Sequence, residues 1–269
     1  MRKTAWAALL LAATATPGVC ASYDDLNAAI SYFNQEQYDN AIIWFDKALA
    51  AGDLIVDHKR LAHLDRGLAY RTKGDAQKAI ADFSAAIAAQ PENLLAYEQR
   101  SLTYQAVGDL ENALSDYRQM RRLRPRDHEI LMNFGWLSWQ LGKIEDSANA
   151  FAEFSGTDTN SWLWLQLSNV RLGKPLMDYS EGVRSRDWPG PVVRFFRGSI
   201  SDSELIQAAS SDSQVCAAHL YVGLWRTVQQ DRVAAVPPLK SALGKCGEGS
   251  PYWRLARAAL KDVAPGEIE

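Results

Sequence analysis

Residues 67–91, GLAYRTKGDAQKAIADFSAAIAAQP, and residues 101–125, SLTYQAVGDLENALSDYRQMRRLRP, repeat one pattern. In both stretches a small residue is followed in order by a tyrosine, a glycine, an alanine, an aromatic residue and a proline. Each residue of the second stretch lies 34 positions after its counterpart, and Gly74, Gly108 and Gly142 extend the same period. A fixed period of this length is typical of proteins in which every copy is one supersecondary unit.

The residue types in this pattern indicate a helix–turn–helix in each copy. Gly67 in the first helix and Ala79 in the second are small, so the two helices can approach to the lower end of the usual ~8–10 Å separation. Gly74 is placed to end the first helix in a left-handed conformation, and Asp75 can cap the helix that comes next. Pro91 terminates the second helix because it has no backbone N–H to donate.

With these features the chain resembles the tetratricopeptide repeat family. The resemblance implies an all-α fold, namely a right-handed α-solenoid of helix–turn–helix repeats. The expected organisation is a signal peptide at residues 1–21, about four and a half repeats at 22–173, an irregular connector with short helices at 174–212, and repeat-like helices at 213–269.

The beginning of the chain has the layout of a secretory signal peptide. Arg2 and Lys3 precede an apolar run from Ala5 to Ala13, and cleavage is expected near Ala21. This leader predicts a periplasmic or secreted protein with no transmembrane anchor after cleavage. Lipoprotein attachment is the less favoured alternative, because Pro-Gly-Val precedes Cys20 where a lipid-attachment signal needs a small residue and usually a leucine.

Removal of the leader leaves two cysteines, Cys216 and Cys246. In an antiparallel helix pair the start of the first helix lies beside the end of the second, and the repeat register puts these two cysteines at those ends. Two thiols in an oxidising compartment usually pair. The sequence therefore predicts a Cys216–Cys246 disulfide.

The segment from Trp188 to Ala259 adds a second resemblance. Trp-Pro-x-Pro at residues 188–191, followed by a Ser-Asp-x-Glu-Leu helix and by Cys216, Tyr221 and Gly223, is similar to the tail of NlpI-like envelope proteins. The resemblance implies a protein that docks other envelope proteins, including proteases and peptidoglycan hydrolases, without catalysing a reaction itself.

Composition and motifs point away from other classes. A hydrophobic content of 47% excludes global disorder, and a net charge of -3 argues against nucleic acid as the main partner. His128-Glu129 begins like a zinc-binding His-Glu-x-x-His helix, but Met132 replaces the second histidine. We therefore expect no catalytic residues, no metal and no cofactor.

A repeat array offers a concave surface lined by first helices, and partner binding is expected there. Aromatic, methionine and arginine residues are the usual anchors of protein interfaces. The residues predicted to bind partners are Tyr23, Phe33, Arg71, Asn133, Trp136 and Trp139. Leu26, Ile30, Asp65 and Gln99 occupy the places of the Lys/Asn/Arg set with which some family members clamp a terminal carboxylate, so that mode is disfavoured.

Several alternatives remain open from the sequence. Some groove aromatics could instead pack against a neighbouring helix or a folded-back terminus. The arginine run at residues 118–126 fits either the end of a helix, where cations complement the dipole, or an acidic partner surface. The rival functions are a cell-wall or glycan enzyme, a direct activator of one, and a homo-oligomeric structural module such as a homodimer.

Overall fold

The computed structural model describes residues 19–177 and 187–267, and in these ranges the chain is helical. The predicted signal peptide lies outside the described residues except for its last three, which begin the first helix. The chain divides into two compact units, unit 1 up to Asp109 and unit 2 from Leu110 onward.

Unit 1 contains, in the part from residue 19 onward, five helices joined by short turns. They are α1 (Val19–Asn34), α2 (Tyr38–Ala50), α3 (Val56–Thr72), α4 (Ala76–Ala89) and α5 (Leu94–Ala106). The turn between α3 and α4 forms as predicted, because Gly74 takes φ of 83° and the Asp75 side chain accepts a hydrogen bond from the Lys78 N–H. A β-carbon on Gly67 would lie 2.7 Å from the Phe83 ring, so only glycine allows this close approach of α3 to α4.

A charged cluster around the buried Asp82 holds α2, α3 and α4 together. Arg66 donates to both carboxylate oxygens of Asp82, at 2.8 and 2.6 Å, and its remaining nitrogen bonds Asp46. The His63 Nδ1 lies 2.8 Å from the same Asp82 carboxylate. Although burial opposes it, hydrogen bonding from Arg66 and His63 holds the pKa of Asp82 below its usual value. This cluster occupies the side of α3 toward α2 and α4.

Unit 2 contains nine α-helices and a terminal 3-10 helix within its described residues. They are α6 (Leu110–Leu123), α7 (His128–Gln140), α8 (Ile144–Ala152), α9 (Thr159–Arg171), α10 (Gly190–Phe196), α11 (Asp202–Gln207), α12 (Asp212–Val228), α13 (Arg232–Lys245), α14 (Pro251–Val263) and the 3-10 helix Pro265–Glu267. Two glycines repeat the Gly67 arrangement: a β-carbon on Gly135 or Gly223 would lie 2.6 Å from Phe151 or Leu239, respectively. The all-α repeat fold predicted from the sequence is confirmed.

One local expectation concerns Pro237-Pro238, which suggests a late start or a kink in the second helix of the last copy. The late start is wrong, because α13 begins at Arg232 and continues through both prolines. Asp231 caps the helix through the Ala234 N–H. The two prolines deprive the carbonyls of Val233 and Ala234 of their helical partners, and both residues are at least partly exposed, so water can bond these carbonyls.

Candidate functional site

The surface of unit 1 that is available for binding is set by the geometry of α3. Gly67 faces α4. Successive helix residues turn by about 100°, so Asp65, two residues earlier, lies about 160° away on the opposite side of α3. We call this side of α3, with the residues in the same register on α1 and α5, the inner face of unit 1.

The repeat period aligns three rows of side chains across the inner face. Counterparts of an α3 residue lie 38 positions earlier on α1 and 34 positions later on α5. The two apolar rows are Tyr23, Leu61, Leu95 and Ile30, Leu68, Leu102. Between them lies the polar row, Asn27, Asp65 and Gln99. All nine side chains are half-buried or exposed, so a ligand can touch them.

Asp65 is the electrostatically unusual member of the polar row. Burial raises the pKa of its carboxyl to about 6, and the positive charge of Arg60 only partly opposes this rise. Among the described residues, no side chain donates a hydrogen bond to Asp65. The Gln99 Oε1 is also buried without a hydrogen-bond partner in the described part of the chain. The inner face therefore carries two acceptors with unmet bonding capacity.

The three sequence-predicted residues in unit 1 are all half-buried. The Tyr23 ring meets the His58 ring edge-on at 4.9 Å, and the Phe33 ring meets Tyr38 at 5.6 Å. Tyr23 lies in an apolar row, whereas Phe33 and Arg71 share a register position beside the rows. In the sequence, Asp65 and Gln99 stand out only as departures from the Lys/Asn/Arg set that clamps a terminal carboxylate. They are not among the predicted binding residues.

In unit 2 the expectation that Trp139 is left for a ligand is wrong. Trp139 is only 5% exposed, with its ring 5.7 Å from the Trp164 ring and beneath the Arg171 guanidinium at 5.0 Å. The spacing of Trp136 and Trp139 correctly puts them on one side of α7. However, α9 packs against that side, and its residues 161–169 are all buried.

Trp136 is half-buried and packs against a folded-back terminal helix. Its ring lies 6.3 Å from Trp164 on α9 and 6.4 Å from Tyr252 on α14. Asn133 is half-buried as well, and its Nδ2 donates to the Glu129 carbonyl oxygen at 3.0 Å. On this side of α7 the two tryptophans therefore pack against the protein itself, whereas Asn133 stays half-buried and Glu129 is exposed.

The two cysteines that remain after removal of the leader lie close together. Cys216 and Cys246 are paired in the structure, with Cα atoms 4.9 Å apart, where the helix-pair register puts them. The described residues contain no group of three His, Cys, Asp or Glu side chains placed to hold a metal ion. Within the same residues, no helix has the length and apolar character needed to cross a membrane.

Comparison with known proteins agrees with this architecture. A tetratricopeptide repeat family model matches residues 26–93 and 99–155. The lipoprotein NlpI homolog of Haemophilus influenzae is 25% identical over 189 residues, which cover 67% of this chain but only 59% of that relative.

Two solved structures share the fold. A tetratricopeptide repeat protein from Parabacteroides merdae superposes with a TM-score of 0.56 at 16% identity, covering 90% of this chain and 99% of that one. The C-terminal part of a repeat protein from Cytophaga hutchinsonii gives 0.51 at 16% identity, covering 87% of each chain. These two likenesses show the fold. The matched repeats and the NlpI homolog support a protein-interaction scaffold in general. The chain therefore contains tetratricopeptide repeats at residues 26–93 and 99–155 and resembles an NlpI homolog.

Proposed function

We propose that this chain is a non-catalytic adaptor of the bacterial envelope that binds partner proteins on the inner face of unit 1. The observation that carries the proposal is the accessibility of that face. Its apolar rows include Leu95, which is 45% exposed, and they flank polar groups that lack partners within the described residues. Protein interfaces combine apolar anchors with polar groups that fix orientation in this way.

The envelope location rests on two supports. The first is the predicted leader, whose removal would release the chain into the periplasm or the medium. The second is the NlpI homolog, which is itself described as a lipoprotein. The expected partners are accordingly other envelope proteins, with proteases and peptidoglycan hydrolases as the leading classes, and a second copy of this chain as the rival.

Within the inner face and its margin, Tyr23, Phe33 and Arg71 are the proposed anchors. Their rings and guanidinium are half-buried, so part of each is held by the fold while part can contact a partner. Asn133 and Trp136 become secondary candidates, because Asn133 already donates to the Glu129 carbonyl and Trp136 already contacts Tyr252. Trp139 is no longer proposed as an anchor.

Site-specific photo-cross-linking tests the proposed surface. A benzophenone amino acid replaces Leu68 on the inner face of unit 1, and the matched control carries it at Ile43 on α2, which is 53% exposed. After irradiation in intact cells of the native host, discrete adducts are expected from position 68 and not from position 43. Adducts from position 43 alone would contradict the inner face as the binding surface. An adduct with twice the mass of the chain would favour the homodimer.

A separate assay tests whether the adaptor is catalytic. The purified chain is incubated with peptidoglycan and with casein, alone and with a known hydrolase of each substrate. We expect no turnover by the chain alone. Turnover that survives repurification would establish the enzyme alternative, and a faster reaction only in the presence of the hydrolase would establish the activator.

A further inference from the structure

We propose that the inner face of unit 1 selects an extended peptide segment that presents a lysine or arginine side chain to Asp65. This inference rests on the proposed function, because it names the kind of segment that the same surface accepts.

The Asp65 carboxylate is half-buried on the inner face. A carboxylate withdrawn from water is stabilised in proteins by a cation or by hydrogen-bond donors. No described side chain donates to Asp65. Arg60 lies five residues earlier on the same helix, but it forms no ion pair with Asp65, and its own Nε is buried without a hydrogen-bond partner in the described part of the chain. The fold therefore brings a half-buried carboxylate to the inner face without a donor from the described side chains, so water or a ligand supplies one.

The next position of the polar row also carries a hydrogen-bond acceptor. Gln99 stands one repeat after Asp65 in the polar row, and its Oε1 is likewise buried and, among the described residues, unbonded. A lysine ammonium carries three donors and an arginine guanidinium carries five, and neither group carries an acceptor. A basic side chain therefore matches the Asp65 carboxylate, and it reaches the Gln99 Oε1 once that side chain turns toward the ligand, whereas a terminal carboxylate would face a like charge at Asp65.

The arrangement of the rows favours a ligand in an extended conformation. Apolar rows run on both sides of the polar row, and neighbouring first helices in a packed array are about 10 Å apart. An extended chain advances about 3.3 Å per residue, so about three residues pass between one first helix and the next. Such a segment can place one basic side chain at Asp65 and still direct apolar side chains toward Leu61 and Leu68.

Selection from a random library tests the inference without assuming the partner. Phage-displayed dodecapeptides are panned on the full chain after signal cleavage, and enriched sequences are synthesised with a fluorescein label and capped ends. We expect enriched peptides to share a lysine or arginine at one position, with apolar residues around it. Affinity is then measured by fluorescence anisotropy.

Matched variants assign the basic residue to its site. Asp65→Asn should weaken binding of the enriched peptide at least tenfold, while Asp24→Asn, which removes an exposed carboxylate from α1, should leave binding unchanged. Asp65→Lys should reverse the preference, so that the peptide with glutamate in place of its basic residue binds better than the original. Melting curves of each variant check that the fold is retained.

The outcomes separate this inference from the proposed function. Peptides that lose affinity with Leu68→Ala but carry no basic residue, or that ignore Asp65→Asn, overturn the inference and leave the inner face as the binding surface. If no enriched peptide depends on Leu68 or Leu61, the inference and the inner-face mechanism both fail.

Discussion

Units 1 and 2 are built from the same repeat pattern, yet they differ in how far their first helices are covered by other helices. In unit 1 the inner-face side chains of α3, including Asp65 and Leu68, are half-buried. In unit 2 the corresponding side of α7 contributes Trp139 to the core and packs Trp136 against α14. The repeat motif therefore specifies how two helices of a pair pack, but not whether their inner face is available to a partner.

The difference originates in the helices that come after the regular repeats. Beyond α9 the regular repeats are interrupted, and α12 and α14 follow. Tyr221 of α12 and Tyr252 of α14 meet Trp164 and Trp136, respectively, in one aromatic cluster. In unit 2 the terminal helix thus takes a position that a partner would otherwise occupy.

Deletion of α14 is expected to have the largest effect, a loss of stability that is confined to unit 2. A chain ending at Ser250 loses Leu255 and Leu260, each 1% exposed, and uncovers Trp136 and Tyr221. Truncating one buried leucine typically costs about 2–5 kcal/mol, so the loss in unit 2 should exceed about 4 kcal/mol. Hydrogen exchange should show faster exchange in α7, α9 and α12, with α1 to α4 unchanged. Unchanged protection of α7 and α9 would show that α14 is not needed for the core of unit 2.

Loss of the Cys216–Cys246 pair should be the next largest effect, and it too should be confined to unit 2. On the chain-entropy account, a disulfide between residues 30 positions apart stabilises by roughly 3–4 kcal/mol. Cys246→Ser should therefore lower the melting temperature and speed exchange in α12 and α13. Thiol titration of the unfolded, unreduced chain from Ser22 onward should find no free thiol, and two free thiols would refute the bond.

Sequence reasoning was accurate where the physical constraint is local. Gly67, Gly74 and Phe83 occupy the predicted places because close helix packing and a left-handed turn depend on residues within one helix pair. The burial of Trp139 could not be obtained in this way. It depends on α9, which belongs to the next copy, and the periodicity of α7 shows which residues share a side without showing what packs against it.

The sequence also does not show which residues of the inner face matter for binding. The register of Asp65 and Gln99 was readable from the sequence, but their importance comes from burial and unmet hydrogen bonding. Those properties depend on the neighbouring helices α1 and α5. Each residue alone resembles an ordinary polar residue on a solvated helix.

Asp65→Asn tests whether unit 1 retains an unfavourable charge on its inner face. The carboxyl pKa is about 6 in the folded chain against 3.8 in the reference state, so the wild type loses stability as pH rises from about 4 to above 6. At pH 7.5 the variant should be more stable by on the order of 2–3 kcal/mol, since one pKa unit corresponds to ~1.4 kcal/mol.

The advantage of Asp65→Asn should disappear below pH 4, where both carboxyl and amide are neutral. Thermal unfolding of the variant and the wild type across this pH range provides the measurement. Asp24→Asn is the control, and its effect should stay within about 0.5 kcal/mol because that carboxylate is exposed. A variant that is less stable at pH 7.5 would mean that Asp65 has a structural partner.

The smallest expected effect concerns binding by unit 2. Trp139→Phe keeps an aromatic ring in the core beside Trp164, so it should reduce stability modestly and leave partner affinity unchanged. Leu68→Ala is its counterpart in unit 1: the side chain is half-buried on an open face, and its loss should weaken binding of an inner-face peptide by about 1–3 kcal/mol. Both variants are compared by anisotropy at a temperature where each remains folded. A loss of affinity with Trp139→Phe that equals the loss with Leu68→Ala would mean that unit 2 also contacts the partner. The Trp139 ring, which is 5% exposed, could then act as an anchor only if α9 moved away from it.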